Sequence, residues 1–158
     1  MYAIQTKFNA HRYRSRLEAR YAVLLQVCGL PFQYEREGFE LESGRYLPDF
    51  WLPTKGIWLE VKGWVATSKE KDQCQCLADD TDRRVVMAFG DPGSGTILGC
   101  FSPGWEGILV QTLPEFLMQW VAPDIVLDAI EIAQSARFEF GETPNVVDFT
   151  HGQHRKVG

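Results

Sequence analysis

Two carboxylates and an ammonium group fall within one short stretch of this chain: Asp49, Glu60 and Lys62. Residues 57–62 are rich in β-formers and read as a strand. Alternation then puts Ile57, Leu59 and Val61 on one face and Trp58, Glu60 and Lys62 on the other. Residues two apart on a strand lie about 7 Å apart at Cα, close enough to share a ligand. The preceding segment, Pro53-Thr54-Lys55-Gly56, has the composition of a tight turn. If Leu52 and Ile57 flank that turn as a pair, Trp51 faces Trp58, Phe50 faces Leu59 and Asp49 faces Glu60. Carboxylates directly across an antiparallel pair have Cβ atoms roughly 5 Å apart and repel. A divalent cation between them removes that penalty. The plain alternative is a solvated hairpin face that carries Asp, Glu and Lys without using them, and a one-residue slip would undo the register.

The elements needed to hold these residues are readable on both sides. Residues 15–28 carry Leu17, Tyr21, Leu24, Leu25 and Cys28 at helical spacing, with Gly29 as the stop. Residues 31–41, 45–52 and 57–64 read as a three-strand meander. A polar-faced helix over 68–80 follows, then a buried strand over 84–90. Strands are expected near 96–101 and 107–112, and helices over 113–120 and 123–138, with Pro123 opening the second. The 158 residues, 45% hydrophobic and 23% charged, can bury a core. The expectation is one α/β domain over 1–140, a mixed central sheet flanked by helices, with a loose polar tail over 141–158.

No apolar run approaches the roughly 20 residues that cross a bilayer, and the basic N-terminal segment lacks the apolar stretch of a signal peptide. Four cysteines do not make a disulfide framework at this length. A soluble, cytoplasmic protein is therefore expected. The net charge of −5 argues against an indiscriminate nucleic-acid coat. The basic residues are nevertheless concentrated early: Lys7, Arg12, Arg14, Arg16 and Arg20.

The segment 47–64 resembles the PD-(D/E)xK nuclease superfamily: Pro48-Asp49 matches the PD, and Glu60-Val61-Lys62 matches the ExK. Residues 14–26 resemble the acid-bearing first helix of many members. The likeness spans about Arg12 to Val86, roughly half the chain, and residues 135–142 add a look similar to small uncharacterised phage and prophage members. The resemblance implies a restriction-endonuclease-like α/β core in a bacterial or phage-infected cell. It implies Mg²⁺ or Mn²⁺ held by Asp49 and Glu60, with the Val61 carbonyl as a further ligand. Lys62 would orient the attacking water or help deprotonate it. Those residue types suit the chemistry: magnesium takes hard oxygen ligands, keeps several waters, and lets substrate phosphate complete its shell.

Glu18 has two readings. Ser15-Arg16-Leu17-Glu18 fits a capping box, in which Glu18 serves only its helix. Alternatively Glu18 flanks the apolar stripe and supports the metal site as auxiliary ligand or base. Arg12, Arg14, Arg16 and Arg20 are either a solvated basic face or contacts to nucleic-acid phosphate. The Gly-rich segment 90–95 lacks a Gly-Lys-Ser/Thr ending and reads as a turn. Cys74 and Cys76 are too close for the usual zinc spacing. His151 and His154 fall in the tail. Trp51, Trp58 and Trp64 surround the motif; packing is their ordinary use, and stacking on an unpaired base is the functional one.

Two functions follow. The first is a Mg²⁺-dependent deoxyribonuclease, an endonuclease of phage type, acting as monomer or homodimer without a separate recognition domain, with RNA as a weaker alternative substrate. The second is a catalytically silent module of the same fold that binds nucleic acid or a protein partner.

Overall fold

A computed structural model describes residues 6–8 and 11–138. The described residues divide into two compact units, one formed by those up to Leu30, by 91–95 and by those from Leu113 on, the other by residues 31–90 and 96–112.

In the first unit a short hairpin, β1 (Thr6–Phe8) and β2 (His11–Tyr13), precedes α1 (Arg16–Val27). Ser15 caps α1 by accepting from the Glu18 N–H at 3.1 Å. The helix ends in a Schellman arrangement: the Gly29 N–H donates to the Gln26 carbonyl and the Leu30 N–H to the Leu25 carbonyl. Gly29 has φ +71, the left-handed conformation that glycine adopts without Cβ strain.

The second unit is built on a six-stranded sheet. Its strands are β3 (Gln33–Tyr34), β6 (Phe50–Leu52), β7 (Ile57–Lys62), β8 (Arg84–Phe89), β9 (Ile97–Ser102) and β10 (Trp105–Thr112). β4 (Phe39–Leu41) and β5 (Gly44–Tyr46) make a separate two-stranded ribbon. The order across the large sheet is β10-β9-β8-β7-β6-β3, with β7 and β8 parallel and every other pair antiparallel. The parallel step needs a crossover, supplied by α2 (Ser68–Thr81), which lies on β8, β9 and the β4 ribbon. Its buried Cys74, Leu77 and Ala78 pack with Trp58, Val85, Met87, Phe101, Leu41 and Tyr46.

The expected mixed α/β architecture with a mixed sheet is present. The three-strand meander is not. Residues 31–41 divide into β3 and β4 because Glu35 turns the chain at φ 46 and Glu37-Gly38 carries it out of the sheet. Residues 45–52 divide at Leu47-Pro48-Asp49, where Pro48 has no N–H to donate to a ladder. The hairpin β1–β2 was not foreseen; three-residue strands carry too little alternation to read.

α3 (Leu113–Leu117) and α4 (Pro123–Ser135) complete the first unit; α4 contacts both α1 and α3. Pro123 opens α4 as expected, and Val126, Ala129, Ile130 and Ala133 form its buried stripe. α3 stops at Leu117, short of the expected residue 120. Among the described residues no helix is long and apolar enough to cross a membrane. The tail over 141–158, with His151 and His154, lies outside the described residues.

Leu77 is fully buried between helix and sheet. Leu77→Ala is expected to cost about 2–5 kcal/mol in denaturant unfolding, against less than about 0.5 kcal/mol for a change at exposed Lys69.

Candidate active site

The register read from loop length is the one observed. Leu52 pairs Ile57, Trp51 pairs Trp58 and Phe50 pairs Leu59. The turn closes with the Lys55 and Gly56 N–H groups donating to the Leu52 carbonyl, and Gly56 has φ 64. Extending that register past the start of β6 brings Asp49 opposite Glu60 and Pro48 opposite Val61.

At that point side chains take over from the backbone ladder. The Val61 N–H donates to Asp49 Oδ2 at 2.8 Å, and the Asp49 N–H donates to Glu60 Oε1 at 3.1 Å. Each acid is thus fixed by the other's strand. The Glu35 N–H holds the Asp49 carbonyl, and the Gly90 N–H holds the Lys62 carbonyl at 2.7 Å. Asp49 is 6% exposed and Glu60 5%. A solvated hairpin face is therefore not what these residues form: both carboxylates are withdrawn from water, which is costly without compensation.

Lys62 lies on the Glu60 face, its Nζ 3.8 Å from Glu60 Oε2. It also donates to Glu70 Oε2, an ion pair the sequence reading did not assign. Glu70 has a second task. Its Oε1 accepts from the Thr67 N–H at 2.9 Å while the Thr67 hydroxyl accepts from the Glu70 N–H, a full capping box for α2. The Thr-x-x-Glu spacing over 67–70 was the available signal; it would have given the cap but not the lysine partner. Tyr46, on the β4–β5 ribbon, was also missed. Its hydroxyl bonds the Glu60 carboxylate and lies 3.8 Å from Cys74 Sγ. Burial, with the nearby Glu60 charge, pushes the Tyr46 hydroxyl far above the usual phenol range, so it remains a donor.

Burial alone would lower the Lys62 pKa. The Glu70 bond and the charges of Glu60, Glu70 and Asp49 outweigh it, and the net shift is upward from 10.5. Lys62 is therefore an ammonium at neutral pH, suited to donating hydrogen bonds and not to taking a proton. The bond from Lys62 is the main reason that Glu70 is held below its ordinary 4.5.

The structure thus brings together Asp49, Glu60, Val61 and Lys62, all in the second unit. Glu18 and the arginines belong to the first. Glu18 is buried, and its Oε2 accepts from the Ser15 hydroxyl at 2.8 Å. Ser15 caps through its side chain, but the bond to the Glu18 carboxylate comes from that hydroxyl, a variation on the capping box. Arg12 lies on β2. Arg14 is exposed, and Arg16 opens α1 with its Nε buried and, among the described residues, without a hydrogen-bond partner. Arg20 pairs with Asp91 at 2.9 Å and donates to the Ala136 carbonyl. Among the described residues no group of three or more His, Cys, Asp or Glu side chains is placed to hold a metal ion.

Comparison with protein-family models and with curated proteins finds no match to this chain.

Glu70→Gln retains a capping-box acceptor and deletes the charge that holds Lys62. Glu70 is 30% exposed, so the expected loss at neutral pH is only about 0–1 kcal/mol. Because its folded pKa is depressed, Glu70 contributes this stability above 4.5 and loses it as pH falls through the lower folded value. Unfolding of variant and wild type across acidic pH checks this: the curves should converge in strong acid, and a constant gap would assign the loss to the cap.

Proposed function

We propose that this chain is a metal-dependent nuclease that hydrolyses DNA phosphodiester bonds on a restriction-endonuclease-like core, as its resemblance to the PD-(D/E)xK superfamily implies. One observation carries the reading: two buried carboxylates, braced across one strand pair, share a strand face with a charged lysine. Asp49, Glu60 and Glu70 gather three carboxylates around the Lys62 ammonium. Carboxylates clustered in a water-poor site are the ligand type that a hard divalent cation takes.

The donor set fits Mg²⁺ or Mn²⁺. Both are oxygen-seeking ions that need few protein ligands when water and substrate phosphate fill the rest of the shell. Asp49 and Glu60 would hold the ion, with the Val61 carbonyl as a further ligand. When bound, the ion supplies Lewis-acid polarisation and neutralisation of phosphate charge. Lys62 stays protonated and donates to a phosphate oxygen, stabilising the charge that grows there as water's oxygen bonds to phosphorus and the P–O ester bond breaks. The proton that water gives up ends, through solvent, on the leaving oxygen, which departs as an alcohol. Of the two roles that the motif implies for Lys62, orienting the attacking water or helping to deprotonate it, a charged ammonium supports the first. Glu70 and Tyr46 position Lys62 and Glu60 and touch no substrate. Glu18 as auxiliary ligand, and Arg12, Arg14, Arg16 and Arg20 as phosphate contacts, belong to the same proposal.

The test is cleavage of labelled single-stranded, duplex, flapped and four-way-junction DNA with Mg²⁺, with Mn²⁺ and with EDTA. Cutting is expected only with metal, and Lys62→Ala and Asp49→Asn are each expected to lower it by about 100-fold or more while remaining folded. Metal-independent DNA binding with no cutting in any lane would replace this reading by the silent binding module. Undiminished cutting by Lys62→Ala would remove Lys62 from the site.

A further inference from the structure

Three tryptophans surround the motif, and the fold separates their uses. Trp58 is 3% exposed and donates its indole N–H to Thr81 Oγ1. Trp51 stacks against Trp58 with ring centroids 4.4 Å apart and carries the Arg36 guanidinium over its ring at 5.8 Å. Both rings are engaged by the protein. Trp64 is not: it is 86% exposed, as is its neighbour Val65. A tryptophan left that open loses the burial that normally justifies so large an apolar side chain.

Its place in the chain gives the exposure a meaning. Trp64 follows Lys62 by two residues, where β7 ends and the chain turns towards the Thr67 cap of α2. Trp64 and Val65 line a pocket of about 380 Å³ with Phe89 and Lys71. Among the described residues no acid lines it, although Glu60 and Glu70 lie close by in sequence. Lys71 also borders a second groove with Asp72 and Glu106. On the Trp64 side an aromatic plane stands beside a lysine, an arrangement complementary to a nucleotide: the base stacks on the ring and the phosphate meets the ammonium.

We infer that Trp64 is a stacking platform for an unpaired nucleobase, with Lys71 beside it for the adjoining phosphate, so that the site takes single-stranded or flapped nucleic acid. This rests on the nuclease reading and adds its substrate class. A base inside a duplex has both faces covered by its neighbours, and only an unstacked base offers a face to Trp64.

Binding separates the two ideas, because it is read without cleavage. Fluorescence anisotropy of the full chain in EDTA, with a labelled oligothymidylate and with a blunt duplex of equal length, is compared for wild type, Trp64→Ala and Trp64→Phe. Trp64→Ala is expected to weaken single-strand binding about 10-fold and duplex binding less than about 2-fold, and Trp64→Phe should stay within about 3-fold of wild type. Equal loss on both substrates, equal loss in Ala and Phe variants, or no single-strand binding by wild type would overturn the stacking site. So would a change of oligomeric state in Trp64→Ala by sedimentation, which would make the patch a contact between copies. Trp64-dependent binding in a protein that never cuts counts against the nuclease alone; cutting indifferent to Trp64 counts against the platform alone.

Discussion

Withdrawal of the Asp49 and Glu60 carboxylates from water is the constraint around which the second unit is arranged. A buried carboxylate without compensation is costly enough that a protein ordinarily protonates, pairs or ligates it. Here each acid accepts a backbone N–H from the other's strand, and those two bonds replace the ladder that Pro48 interrupts. The bonds fix where the carboxylates point. Their donors are neutral and carry no charge of their own, so under the proposed function metal and phosphate are what would meet the carboxylate charge.

The surrounding elements supply rigidity at the places that matter. β7 is buried along nearly its whole length, parallel β8 closes one side and the short β6 the other, so Glu60 and Lys62 have little freedom of backbone position. α2 arrives with Glu70 tied into its own capping box, and that fixed carboxylate holds the ammonium of Lys62. The ribbon of β4 and β5 exists in this context to bring Tyr46 to Glu60 and to cover α2 and Trp58 with Leu41 and Phe39. A flexible lysine beside paired acids would otherwise spend its charge in many geometries.

Much of this is legible in the sequence. A four-residue turn flanked by apolar residues set the Leu52–Ile57 register, because a slip would have exchanged the two faces of β7. The helix read over 68–80 forms as Ser68–Thr81, and the buried strand read after it forms as Arg84–Phe89. Burial of the two acids was not legible, since alternation says which residues share a face and not whether that face is covered. Glu70 was missed because its partner lies at the end of β7 and not on the same helix, a contact that helical or strand spacing does not encode. The meander failed at Glu35 and Pro48, where single-residue backbone geometry overrode β-rich composition. Glu18 was open between capping and support; the structure gives it a bond from Ser15, which serves the helix start under either reading.

The central claim is that Asp49 and Glu60 form a divalent-cation site, and the most direct measurement is calorimetric titration of Mn²⁺ into the metal-free protein, wild type beside Asp49→Asn. The account expects binding to the wild type that weakens by at least about 10-fold in a variant that keeps its acceptor oxygen and its fold. Equal affinity in both proteins, or no binding by folded wild type, would contradict it.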